Sequence, residues 1–181
     1  RLMYWQVYLH KTVLSAENLI ANILKRAKEI AGEGAELFAT PAFHYFLYNK
    51  IGKEDFLKNP ETLEMFAKLD DFDITASVKV WQDHTDQVLS ILCRSIINRT
   101  LYKIELSNTA IKKESLNIKK EALMKSHGFS KEETDYLVFT GEIANNAYSP
   151  KSDKINLLFK DGSIKDIADA ADQLNISVLS K

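Results

Sequence analysis

Apolar residues recur at Leu2, Trp5, Leu9, Val13, Ala16, Ile20, Ile23, Ala27 and Ile30, in steps of three and four that place them on one face of a helix. At the standard rise that face is roughly 44 Å long. No Ser, Thr, Asp, Asn or Pro marks its start, so the pattern predicts a helix whose amino end lies elsewhere and a chain that is a piece of a longer protein. GEG at 32–34 breaks the helix. Thr40-Pro41 and Asn59-Pro60 each supply a cap followed by proline, and predict short helices over PAFHYFLYNKI and PETLEMFAKL. The stretch from Asp73 to Leu101 carries apolar positions Ile74, Val78, Trp81, Val88, Leu92, Ile96 and Leu101 and predicts two helices breaking near Asp83, with Asp73 and Asp83 as caps.

From Leu101 the pattern changes. Leu101, Tyr102, Ile104 and Leu106 suit a short strand; KESLNIKKEALMKSH predicts a charged helix closed by Gly128; Ser130 and Glu133 form a capping box before an aromatic strand candidate, DYLVFTGEIANNAY. KINLLFKDGSI predicts a strand ending in a turn, Ser163 with Asp166 predicts a cap for IKDIADAADQL, and NISVLS predicts a last strand. The fold class expected is therefore mainly α, a helical bundle portion over 1–107, followed by a small α+β region over 108–181.

Composition narrows the partners more than the chemistry. A net charge of −1 with 27% charged residues gives no bias toward nucleic acid, an anionic membrane or an acidic substrate. The single Cys93 excludes an intrachain disulfide and a structural zinc cluster, and with no signal peptide or membrane-spanning run the expected compartment is the cytoplasm.

Four histidines, His10, His44, His84 and His127, form no HExxH or HxH arrangement. The acidic group Asp70, Asp71 and Asp73 upstream of Asp83-His84 could suit a hard cation, although Asp favours helix caps. No nucleophile elbow, Walker loop or dinucleotide fingerprint occurs, so a phosphate would have to be met by side chains. Tyr8 and Lys11, three apart on one helix face with His10 between them, offer a phenol, an imidazole and an ammonium that suit a nucleotide. The same spacing also describes a core edge with a solvated rim.

YWQVYLHKTVLSAENLI, LDDFDI followed by VKVWQDHTD, and the exit INRTLYKIEL together resemble the carboxyl-terminal half of HD-domain phosphohydrolases, and within them the bacterial relatives of the deoxynucleotide triphosphohydrolases. The resemblance covers most of the first 107 residues. It implies an HD-type helical bundle and a divalent metal held by an amino-terminal set of His, His-Asp and Asp, of which this chain has no counterpart. Where the family has Arg, His, Tyr and then His-Lys, this chain has Tyr4 at the His position, followed by Tyr8, His10 and Lys11. The likeness implies that these four residues approach substrate, Tyr8 at the sugar or base and Lys11 at a nucleotide phosphate in a regulatory or subunit-interface site. It further implies no catalytic or metal-binding residue in this chain, an inactive fragment of a nucleotide phosphohydrolase that forms a homo-oligomer, and no cofactor held by the fragment itself. The competing expectation is a non-catalytic oligomerisation or ligand-binding module, suggested by the change in pattern near Leu101.

Overall fold

A computed structural model describes residues 10–107, 111–141 and 156–166. The chain divides into two compact units, one formed by Lys11–Thr140 and the other by 1–10 with 141–181.

The first unit is helical. Its elements are α1 (Lys11–Gly32), α2 (Pro41–Tyr48), α3 (Lys53–Lys58), α4 (Pro60–Lys68), α5 (Asp71–Trp81), α6 (Gln87–Ile97), α7 (Lys113–His127) and α8 (Lys131–Thr134). Helix α1 is the spine, packed chiefly on α6 and also on α2. Its buried stripe is Leu14, Leu19, Ile23, Ala27 and Ile30, which differs from the expected face at its amino-terminal end: Ile20 lies at the rim while Leu19 is fully buried. From Leu19 to Ile30 that stripe shares a core with Val88, Leu89, Leu92 and Cys93 of α6. On the other side of the core, Trp81 packs against Phe43 with ring centroids 5.7 Å apart and donates its indole N–H to the Phe38 carbonyl at 2.9 Å.

Several helix ends follow the sequence. Asn59 accepts the Glu61 N–H, Ser130 and Glu133 close a capping box, and Gly128, at φ +73°, ends α7 in the left-handed conformation that glycine adopts without a Cβ clash. Others use different residues. Asp70, not Asp73, caps α5, with Asp73 returning the second bond of the box; Asp86, not Asp83, caps α6 by accepting the Leu89 N–H at 2.8 Å. Asp83 instead pairs with Arg94. Thr40 does not cap α2 with its side chain, because its hydroxyl donates to Asp73 and ties the starts of α2 and α5 together.

The helical unit also reaches beyond the expected boundary at 107, since Phe129 and Tyr136 are buried in its core. The expected strand over 101–106 is absent. That segment docks as an irregular strap: the Tyr102 carbonyl accepts the Ser15 hydroxyl at 3.2 Å, and the Tyr102 hydroxyl donates to the Tyr136 carbonyl at 2.8 Å. Without a partner strand, apolar alternation does not make a ladder. Residues 135–138 likewise form turns extending α8 rather than a strand, and 142–148 of that candidate lie outside the described residues.

Arg99, at φ +57°, is the one non-glycine residue with positive φ among those described, and it closes α6 where glycine is usual. Arg99→Gly is expected to raise the unfolding free energy by about 0.5–1 kcal/mol, as relief of left-handed strain outweighs the added chain entropy. A shift of the urea midpoint to higher concentration at constant slope checks this.

In the second unit the described residues form an antiparallel hairpin, β1 (Asn156–Leu158) and β2 (Ile164–Asp166), with Leu157 opposite Lys165. Ser163 was expected to cap a helix. Its N–H and hydroxyl instead both go to Asp161, in a turn containing Gly162 at φ +80°, so the chain enters β2. The rest of that predicted helix and NISVLS lie outside the described residues. Among the described residues no helix is long and apolar enough to cross a membrane.

Candidate functional site

Of the four substrate residues expected from sequence, Tyr4 and Tyr8 lie outside the described residues. His10 is exposed just before α1, and Lys11 is its exposed first residue. Lys11 stands one turn before Ser15, on the side of α1 to which the Tyr102 strap is bonded. Lys11 is thus the exposed residue that opens α1, ahead of the buried Leu14 and Ser15.

The acidic cation candidate is not assembled. Asp70 and Asp73 bond each other's backbone N–H groups in the capping box, Asp73 also accepts from Thr40, and His84 Nδ1 accepts the Asp86 N–H at 3.0 Å. Among the described residues no three His, Cys, Asp or Glu side chains come together to hold an ion.

Sequence reasoning missed a different polar cluster. Arg26, midway along α1, makes a two-pronged pair with Asp86, Nε to Oδ1 at 3.2 Å and Nη2 to Oδ2 at 2.6 Å, while its Nη1 reaches Glu29 at 2.7 Å. The Tyr136 hydroxyl donates to the same Glu29 oxygen at 2.7 Å, and Lys25 lies over the Tyr136 ring at 5.2 Å. An open cleft of about 370 Å³ borders this group between Arg26, Glu33 and Ala35 on one side and His84–Asp86 on the other. The sequence held only two faint signs of it, the i,i+3 spacing of Arg26 and Glu29 and an Asp immediately before QVLS.

The charges of the cluster answer one another. Asp86 hydrogen-bonds Arg26 and holds its guanidinium charged. Burial pushes the Asp86 carboxyl up, but Arg26 and the Leu89 N–H outweigh it and the net shift is downward. The Tyr136 hydroxyl, with Arg26, lowers Glu29, while burial and Glu29 push Tyr136 up to about 12. Three of the five guanidinium N–H groups of Arg26 are taken by two carboxylates, which offset its charge. The arrangement clamps α1 to the start of α6 and to the segment after α8. Lys11 and Arg26 are fifteen residues apart on α1, about 22 Å at helical rise, so the two are separate.

Comparison with known proteins points to a class. The chain is 48% identical, with a TM-score of 0.81, to a phosphohydrolase of known crystal structure from Bacteroides thetaiotaomicron, a match that covers all of this chain and 45% of that one. It is also 33% identical over 172 residues to YwfO, an uncharacterized protein of Bacillus subtilis, covering 92% of this chain and 37% of YwfO. The chain thus spans less than half the length of either relative. No family model matches the sequence.

Proposed function

We propose that this chain is the helical carboxyl-terminal portion of an HD-domain, metal-dependent phosphohydrolase acting on a (deoxy)nucleotide phosphate. The observation that carries the reading is the phosphohydrolase match at 48% identity over the whole of this chain. The resemblance of the segments around YWQVYLHK, LDDFDI and INRTLYK to the triphosphohydrolases refines it toward a nucleotide. In this reading Tyr4, Tyr8, His10 and Lys11 meet the substrate or a regulatory nucleotide, and the divalent ion is held by residues this chain does not contribute. No step of hydrolysis is assigned to the described residues; their part is to fix the α1 start rigidly against α6 and the Tyr102 strap.

An ammonium at a phosphate contributes a charge-assisted hydrogen bond. Lys11→Ala in a polypeptide of the relatives' full length is expected to raise the nucleotide KM about tenfold, roughly 1.4 kcal/mol, with a smaller change in kcat. Phosphate release at varied nucleotide concentration measures both. Unchanged kinetics in the variant would remove Lys11 from the site, and no nucleotide hydrolysis by the wild-type polypeptide would end the nucleotide reading.

A further inference from the structure

The turn between α5 and α6 is a polar junction centred on Asp86. Its carboxylate accepts the Leu89 N–H at 2.8 Å to cap α6 and takes Arg26 of α1 as its ion partner. Its backbone is held as well: the Asp86 N–H donates to Nδ1 of His84 at 3.0 Å, and the His84 N–H donates to the Trp81 carbonyl at 3.0 Å. His84 is half-buried in the wall of the open cleft. Arg26 and Glu33 face it from α1 and the turn that follows, Asp86 stands at the α6 cap, and Asp83 is paired with Arg94 of α6.

A ring nitrogen accepts a hydrogen bond only while it carries no proton, so this contact selects the neutral imidazole with its hydrogen on Nε2. Protonation changes two things. It adds a positive charge beside a carboxylate already shared with Arg26, and it puts a hydrogen on Nδ1, so that two donors meet where one bond stood. Asp86 and Glu33 answer the charge. Nothing answers the lost acceptor, since among the described residues His84 is the one acceptor bonded to the Asp86 N–H. We propose that His84 is a proton-operated latch on the α1–α6 clamp: neutral, it holds the Asp86 backbone so that the carboxylate seats on Arg26; protonated, it releases that backbone and the clamp loosens beside the cleft. Histidine is the side chain that ordinarily gains its proton between about pH 8 and pH 5. The Asp86 and Glu29 carboxyls are held below the usual carboxylate range, so the latch acts where the Arg26 pairs are still fully charged.

Heteronuclear NMR of the 181-residue chain tests it. The scalar coupling across the Asp86 N–H to His84 Nδ1 bond and the exchange rate of the Arg26 Nε–H are measured at about pH 8 and about pH 5.5, in the wild type and in His84→Asn. Asparagine accepts the same N–H through its side-chain oxygen, as in an Asx turn, and takes up no proton. The wild-type coupling is expected at the upper pH and lost at the lower. The Arg26 Nε–H is expected to exchange alike in the two proteins at the upper pH and about threefold or more faster in the wild type at the lower, a local opening. Comparing the proteins at each pH cancels the direct effect of pH on exchange. Equal exchange in the two proteins at both pH values would overturn the proposal, and so would a coupling that persists at the lower pH. Should His84→Asn not fold, the wild type decides: the Arg26 rate relative to that of Arg99 rises with the midpoint of the His84 ring resonance, and an unchanged ratio overturns the latch.

Discussion

Trp81→Ala is expected to lower the unfolding free energy by about 4 kcal/mol, within the range for deleting a buried large aromatic. Trp81 is 1% exposed and sits where α5 meets α2 and the 37–40 segment, so its removal opens a cavity beside Phe43 that rigid helices on several sides cannot fill. Its indole N–H also satisfies the Phe38 carbonyl, which alanine leaves without that donor. For a domain of this size the melting temperature falls by roughly 10 °C. Trp81→Phe separates the contributions: most of the ring volume is kept while the hydrogen bond is lost, for a cost of about 1–2 kcal/mol. Urea denaturation followed by far-ultraviolet circular dichroism gives both values. A cost under 1 kcal/mol for Trp81→Ala would mean that the α2–α5 contact is not part of the core.

Asp86→Ala is the second large effect, about 3 kcal/mol. Roughly 1 kcal/mol is the helix cap lost at Leu89, and about 2 kcal/mol is the cost of leaving the Arg26 guanidinium, 14% exposed, with only Glu29 as ion partner. Asp86→Asn retains an acceptor for the cap and loses the charge, so it costs less. The pair also carries a pH signature. The folded-state carboxyls of Asp86 and Glu29 are held below their ordinary values, so their stabilisation is complete above pH about 4–5 and is lost as pH falls through the lowered values. Between pH 5 and pH 2 wild-type stability therefore falls more steeply than that of Asp86→Asn, and the two curves converge at the acid end. Parallel curves over that range would show that the Arg26–Asp86 pair is not coupled to folding.

Much of the helical layer is legible along the chain because its signals are local. A helix is specified by its own periodicity and by residues within a turn of its ends, which is why α7 with Gly128, the Asn59 cap and the Ser130–Glu133 box stand where the sequence puts them. Acidic residues at neighbouring positions are harder to assign, since any of them can cap; Asp86 takes the role given to Asp83 because its side chain also meets Arg26, sixty residues earlier. Strands are specified by partners. Leu101–Leu106 alternates like one but has α1 and Tyr136 for neighbours, and Ile164–Asp166 reads like the start of a helix but faces β1 across a turn that consumes Ser163.

The candidate site is legible to a different degree. His10 and Lys11 stand out in sequence only through their spacing with Tyr8, which lies outside the described residues; Lys11 opens a helix whose Ser15 bonds the Tyr102 carbonyl. The Arg26–Glu29–Asp86–Tyr136 cluster joins three separate segments, and no sequence spacing announces such a meeting.

The most direct test of the account is phosphate release from nucleoside and deoxynucleoside triphosphates, with magnesium or manganese, by the 181-residue chain and by a polypeptide of the relatives' full length. The account predicts metal-dependent turnover by the longer polypeptide and none by the 181-residue chain. Turnover by the short chain that survives fresh purification and is abolished by Tyr8→Ala would contradict it, as would a longer polypeptide inert toward every nucleotide.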